Sequence, residues 1–396
     1  MFKYITTGFS LGYQFFVDEL TAIFKDAGAL LILFLALIIY PVIYGVAYEN
    51  EVLRDISVAV VDHDATASSR LLIRMANATE EIDVTHNATS LLDAEKLFFE
   101  GKVGGVILIP SGFEEKVMKG EYATVSVYSD AGYFLVYKQT LTAAIQSVGT
   151  FSGGVEVRRL MAKGANIDQA MDRRNPVELN SVMLFNPAGG YNSFIVPGLI
   201  MILLQQTLLI GIGLLGGTDK ELGRFRFAVP QALHRGGVFP VVFGKAFAYF
   251  VIYLANIVIT QLWVYDWFNL PSKNSFLPAL ALVIPFLLSV IFLGMALSTF
   301  FSRREYSIIF VVFLSPIVLF LSGLSWPASA IPNWLHSAAH IFPSTIMVPA
   351  WIRVRTMGAE WQHIGYDFWF LTIQAIIYFL LAVVLYYRAA IKNKEK

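Results

Sequence analysis

The chain has 396 residues, of which 56% are hydrophobic and only 15% charged, against roughly 25% charged in a soluble globular domain. Its formal net charge is zero, so no basic surface argues for a nucleic-acid partner. The absence of cysteine excludes a thiol nucleophile, a thiolate metal site and a disulfide scaffold together.

The leader before the first apolar run carries Asp18, Glu19 and Asp26, which does not suit a cleavable signal peptide, so the first span is expected to stay as an anchor. Within residues 1–26, Phe9, Tyr13, Phe16, Leu20 and Phe24 recur at helical spacing. That pattern fits a cytoplasmic interfacial helix lying on the membrane, and equally a helix packed on the protein itself.

A hydrocarbon core of roughly 30 Å takes about 20 apolar residues of helix. Such runs occur at Ala27 to Ala47, Ile195 to Leu215, Val241 to Val264, Phe276 to Phe301, Ile308 to Leu324 and Phe368 to Tyr387. Six spans put both termini on one side. Lys3, Lys25, Lys220, Arg224, Arg226, Arg235, Arg303, Arg304, Arg388, Lys392, Lys394 and Lys396 share that side, whereas the opposite short loops hold only Lys273, Arg353 and Arg355. The positive-inside rule therefore places both termini in the cytoplasm of an inner membrane, with the first span at 27–48 and the insert at 49–187 facing outward.

The insert opens with Ile-Ser-Val-Ala-Val-Val-Asp from Ile56, a β-rich run, and then a helix beginning near Asp64. Further strands are expected at Ile82 to Thr85, Val103 to Pro110 and Val125 to Ser129, with helices at Leu91 to Glu100 and Gly112 to Lys119, which amounts to a small α/β layer. Tyr133 to Lys163 reads as a long helix loosened at Gly153 and Gly154, and Ala165 to Glu178 as a linker or short helix. The triplet Asp62-His63-Asp64 is the most ligand-like cluster, but it stands at a strand-to-helix junction where a capping Asp is ordinary, and the capping reading is preferred. Asn77-Ala-Thr79 and Asn87-Ala-Thr89 match a glycosylation pattern that has no meaning in a bacterial host.

No phosphate loop is present: Gly101-Lys102 and Gly244-Lys245 lack the following Ser or Thr. His336 and His340 have zinc-helix spacing with no general-base Glu between them, so two unconnected histidines on an interfacial helix is the better reading. There is no G-x-S-x-G elbow. No catalytic, cofactor or metal residue is expected in the chain.

Residues 188–396 read as a five-span domain interrupted by a broken, re-entrant segment at about 322–345. Phe185-Asn186-Pro187 and Pro197-Gly198 precede and open the second span, and Leu321-Ser322-Gly323, Trp326-Pro327, Ile331-Pro332 and Phe342-Pro343-Ser344-Thr345 follow the fifth. Lipid cannot satisfy free backbone groups, so such chain must be buried in protein or line a cavity. Val60-Val61-Asp62 with Val106-Ile107-Leu108-Ile109-Pro110, the Phe185-Asn186-Pro187 entry with Ile195-Val196-Pro197-Gly198, and the Ser322-Gly323 to Pro343 series together resemble the ABC-2 type permeases, the membrane subunits of a class of ABC exporters. The resemblance covers nearly the whole chain.

It implies a polytopic α-helical protein with six transmembrane helices and a large extracytoplasmic α/β domain between the first two. It also implies a permease that forms a homodimer or a heterodimer with a similar permease, recruits a separate ATP-binding ATPase subunit, and moves drug, lipid or glycolipid cargo outward, with a periplasmic adaptor as a further partner. The family's coupling helix maps onto Gly217 to Arg226, with Thr218, Asp219, Glu221, Arg224 and Arg226, although here Gly217-Thr218 precedes the acidic residues instead of following them. A mixed-charge loop also serves plain solvation. Gln205 and Gln206 of the second span either line a conduit or bond helix to helix. The second and fifth spans are expected to form the dimer interface and conduit, with Ser322, Gly323, Pro327, Pro332 and Pro343 gating its outer side.

The alternative is a non-transporting receptor or scaffold that uses the outer domain to bind a partner; it does not explain proline-broken backbone at membrane depth. A secondary transporter is disfavoured because the six apolar runs hold no acidic residue, whereas proton relays use buried Asp, Glu or His.

Overall fold

The computed structural model describes residues 2–177, 179–223, 237–273 and 276–392. The chain divides into two compact units, Val52–Val182 and the remainder, Met1–Glu51 with Met183–Lys396.

The second of these begins with α1 (Phe2–Lys25), followed directly by α2 (Ala27–Ala47). The break between them is set by Asp26, whose extended backbone and side-chain bond to the N–H of Ala29 cap the new helix. Leu31–Leu35 in α2 runs as a π-helical turn.

In the Val52–Val182 unit the elements are β1 (Ile56–Asp62), α3 (Ala67–Asn77), β2 (Ile82–Asn87), α4 (Leu91–Phe99), β3 (Gly105–Ile109), α5 (Phe113–Lys119), β4 (Ser126–Ser129), α6 (Phe134–Ala162) and α7 (Ile167–Arg174). The sheet order is β2-β1-β3-β4, with β1 parallel to both neighbours and β4 antiparallel on the edge. Central β1 is apolar without alternation because both of its faces are covered. Val58 and Val60 meet Leu72, Phe113 and Phe151 on one face, and Ala59 and Val61 meet Ala94 on the other. Each fully buried side chain of this size contributes roughly 1.5–3 kcal/mol.

Two local expectations change in this unit. The helix after β1 is capped by Thr66 with Ser69, not by Asp64. Helix α6 runs unbroken through Gly153 and Gly154, so neither glycine loosens it, and the guanidinium of Arg174 in α7 lies over Gly153.

After Met183 come α8 (Tyr191–Glu221), α9 (Phe239–Trp267), α10 (Phe276–Ser298), α11 (Arg304–Leu321), a 3₁₀ turn (Ala328–Ala330), α12 (Asn333–Ala339), α13 (Pro343–Arg355) and α14 (Trp361–Lys392). Among the described residues, α2, α8, α9, α10, α11 and α14 are the six helices long and apolar enough to cross a membrane. These helices run past the apolar runs seen in the sequence and take in acidic Asp219, Glu221, Asp266, Glu305 and Asp367.

Helix α8 is the hub: 83% of its apolar window is buried, against 17% for α11 and 22% for α14. Small residues permit this. A β-carbon at Gly213 would collide with Ser307, and one at Gly217 with the backbone of Arg303 and Arg304, so α11 lies directly against α8. The start of α8 is closed by Glu51, which accepts the N–H of Ser193 at 3.0 Å and its hydroxyl at 2.5 Å.

The chain between α11 and α14 is broken as proline and glycine dictate. Ser322 caps α11, Gly323 takes φ +81°, Pro327 and Pro332 precede the two short helices, and Pro343 opens α13. Helix α13 is then buried along most of its length, including Pro343, Trp351 and Val354.

Candidate functional site

Of the residues matched to a coupling helix, Thr218, Asp219 and Glu221 form the last turn of α8, where the sequence suggests a loop. Thr218 donates its hydroxyl to the carbonyl of Leu214 at 2.9 Å, within its own helix. Glu221 accepts the N–H of Arg304 at 3.1 Å and so ties the end of α8 to the start of α11. Arg224 and Arg226 lie outside the described residues.

Asp219 belongs to a cluster that the sequence pattern did not single out. The ammonium of Lys245, in the second turn of α9, lies 2.7 Å from Glu19 Oε2 of α1 and 3.0 Å from Asp219 Oδ2 of α8. The Lys245 and Glu19 side chains are only 13% and 7% exposed. One turn on, Tyr249 donates its hydroxyl to Glu19 Oε1 at 2.5 Å. Three elements thus converge on one cation, and the cluster carries one negative charge in excess.

Unit charges 4 Å apart attract by about 4 kcal/mol at an effective dielectric near 20, while each buried ion pays several kcal/mol in lost hydration. The arrangement holds because every charged group has a partner. Beside it, Arg304 Nη2 lies 3.1 Å from Asp26 Oδ1, the same oxygen that caps α2, so α1, α2 and α11 are joined as well.

Helix α1 packs against the rest of its unit along one face and leaves aromatic rings exposed along another. The packed face is buried Leu11, Glu19 and Ile23 with half-buried Phe15, at steps of four, while Phe9, Tyr13 and Phe24 remain exposed. A β-carbon at Gly244 would collide with the carbonyl oxygen of Gly12, so the main chains of α1 and α9 touch next to Lys245. Two sequence signals point here: Lys245 is the one charged residue in the Val241 to Val264 run, and Glu19 interrupts an apolar face.

The polar residues within the spans separate in role. Gln205 is fully buried and accepts the N–H of Ser344 at 2.8 Å, capping α13 from outside, since Phe342 at the cap position offers no side-chain acceptor. Gln206, 6% exposed, has neither amide atom hydrogen-bonded. It lies two turns before Gly213 on the α11-facing side of α8. Tyr253 of α9 donates to Thr207 at 3.0 Å, binding α9 to α8 alongside.

Of the expected gate, Ser322 and Pro343 are buried while Pro327 and Pro332 are exposed. Ser322 donates to the carbonyl of Leu319 at 2.7 Å and accepts from the N–H of Leu324 at 3.3 Å. Nearby, His336 and His340 are in contact, rings 4.7 Å apart and edge to face, and His340 Nδ1 lies 2.7 Å from the carbonyl of His336. Burial, then the neighbouring His340, holds the His336 ring below the usual histidine range. At the same end of α14, Asp367 pairs with Arg353 at 2.8 Å, and Arg355 lies over the ring of Tyr265 at 4.9 Å.

Neither Asp62 nor Asp64 caps the helix that follows β1: Asp62 ties the turn before it, and Asp64 caps a helix further along the chain. Asp62 accepts the N–H groups of Asp64 and Ala65 and the hydroxyl of Ser69. Asp64 accepts the N–H groups of Phe113 and Glu114 at 2.9 and 3.0 Å, capping α5, whose own cap position is Gly112.

Residues 28–384 match the family described as ABC-2 family transporter protein. A search of curated proteins found no match.

Proposed function

Because the chain belongs to the ABC-2 transporter family, and is thereby the membrane permease component of an ABC transporter, we propose that it is an exporter permease. In this reading it dimerises and is driven by a separate ATPase that binds the ATP, and it moves hydrophobic or amphipathic cargo outward across an inner membrane. Both termini lie in the cytoplasm, the Val52–Val182 unit lies on the opposite side, and a periplasmic adaptor engages that unit.

The observation that supports the coupling is the Glu19–Lys245–Asp219 cluster. An ATPase that presses on α1 or on residues 217–226 moves a charged clamp shared by three helices. The clamp has no apolar slack, because separating any partner leaves a buried charge unpaired. Its motion reaches the hub helix α8 directly.

The conduit is carried by the α11-facing side of α8, where Gln206 offers an unpaired amide. The little-buried face of α11, with Ile309, Phe313 and Phe320 exposed, meets the second subunit. Helix α8 is enclosed largely by its own chain, α11 included, so the contact with the second subunit falls to the outer face of α11.

Two measurements test the reading. The chain has no cysteine, so Tyr122→Cys and Leu222→Cys, at positions 87% and 56% exposed, are labelled without background. An impermeant thiol reagent added to intact spheroplasts should modify position 122 and spare 222; the reverse pattern overturns the orientation. Liposomes holding the chain with the ATPase that co-purifies from its own membrane should move a fluorescent amphiphile only with ATP. Equal movement with and without ATP defeats the exporter assignment.

A further inference from the structure

We propose that the groove between α12 and α14 binds one membrane phospholipid whose headgroup donates hydrogen bonds, with an acyl chain lying along α14. The groove has a volume of about 460 Å³ and is lined by Ser337, His340, Phe370, Ile373, Gln374 and Ile377, among others. That volume falls within the roughly 300–1,000 Å³ of small-molecule sites.

Its long wall belongs to a helix apolar enough to cross the membrane, and Ile373 and Ile377 stand 55% exposed along it. Whatever fills that wall comes from the hydrocarbon. Trp334, Tyr366 and Trp369 are exposed at the α12 end, and aromatic rings of this kind settle at headgroup level. The groove therefore descends from the interface into the acyl region.

Its polar end is set to accept. Gln374 is 6% exposed, and its Nε2 donates to the carbonyls of His340 and Ile341 at 2.7 and 3.4 Å. Those two acceptors fix which amide atom is nitrogen, and Oε1, also buried, has no hydrogen-bond partner. His340 Nδ1 faces the carbonyl of His336, which can only accept, so Nδ1 carries a proton, and the tautomer with its proton there has Nε2 as an acceptor. Two acceptors beside an apolar trough match an ammonium or hydroxyl head above an acyl chain. An apolar helix of a second copy offers the trough a partner but the acceptors none.

This assignment stands apart from the exporter reading, since binding needs no ATP and no second subunit. The full chain, purified in mild detergent, is incubated with equal amounts of phosphatidylethanolamine and phosphatidylcholine of identical acyl chains, and retained lipid is counted by native mass spectrometry. The first headgroup donates hydrogen bonds and the second does not. Ethanolamine lipid should be retained about three- to tenfold over choline lipid, the range of one hydrogen bond.

Ile373→Trp, which fills the trough, should abolish the retention. Ile376→Trp, equally exposed on the same helix but off the groove, should leave it intact. A diazirine-bearing ethanolamine lipid should label the unmodified chain within residues 337–341 and 370–378. Equal retention of the two headgroups, equal loss in the two variants, or labelling spread over all spans overturns the proposal. So does an Ile373→Trp chain that turns from dimer to monomer with its lipid retained, which assigns the groove to a second copy.

Discussion

Replacing Lys245 by Met keeps the length of the side chain and removes the one cation that holds Glu19 and Asp219 together at 2.7 and 3.0 Å. Breaking a buried ion pair by deleting one partner costs about 3–5 kcal/mol, because the survivor stays buried and uncompensated. Here two carboxylates survive, so the upper part of that range applies. With about 2–4 °C lost per kcal/mol for a domain of 150–250 residues, the unfolding midpoint of the detergent-purified chain should fall on the order of 10 °C. The triple replacement Lys245→Met, Glu19→Gln, Asp219→Asn removes every charge and should restore most of that loss, as neutral replacements of buried ion clusters do. Coupling should separate from stability: the triple variant folds but has lost its clamp, so ATP-driven transport should stay depressed while ATP hydrolysis by the partner continues. A single variant within 1 °C of the unmodified chain, or a triple variant no more stable than the single, refutes the reasoning.

Gln206→Met should leave stability unchanged or raise the midpoint, since it deletes a buried amide with no partner, a burden of about 1–3 kcal/mol. The same change should lower transport in a flux assay. Gln205→Leu should act oppositely and lower the midpoint, since it strips the cap from the N–H of Ser344. Gly244→Ala should detach α1 from α9, because the collision is with the backbone of Gly12; faster proteolysis of the first 25 residues reports it, and Gly149→Ala, with open space around it, serves as the unaffected control. Asp64→Ala should cost about 0.5–2 kcal/mol, the range for a lost cap, read as lost hydrogen-exchange protection at Phe113 and Glu114. Partial burial pushes the Asp64 carboxyl up, but hydrogen bonds from Thr66, Glu114 and Phe113 outweigh it and hold the group below its ordinary value of 3.8. A depressed folded value means the stabilisation is present above the ordinary value and is lost as pH falls below it, so protection at these two amides should decline with acid in the unmodified chain and be flat in Asp64→Ala.

The spans were legible in the sequence because lipid thickness and the need to satisfy every backbone group impose a length that local composition alone must meet. The strands and helices of the Val52–Val182 unit were legible for a related reason: their apolar runs, caps and turns are written within a few residues of one another. The broken chain after α11 announced itself through proline and glycine, whose limits are those of single residues. Which groups meet is a different kind of fact. Lys245 selects Glu19 in α1 and Asp219 in α8, Asp64 caps a helix that begins at Phe113, and Gln205 caps one that begins at Pro343. Lone charges such as Lys245 and Glu19 stand out in apolar patterns, but nothing in the pattern says which group each meets, since each pairing depends on two elements being brought side by side by packing elsewhere. The central place of α8 is of the same kind: it is not the most apolar of the spans, and the close approach permitted at Gly213 and Gly217 is what lets α11 lie directly against it.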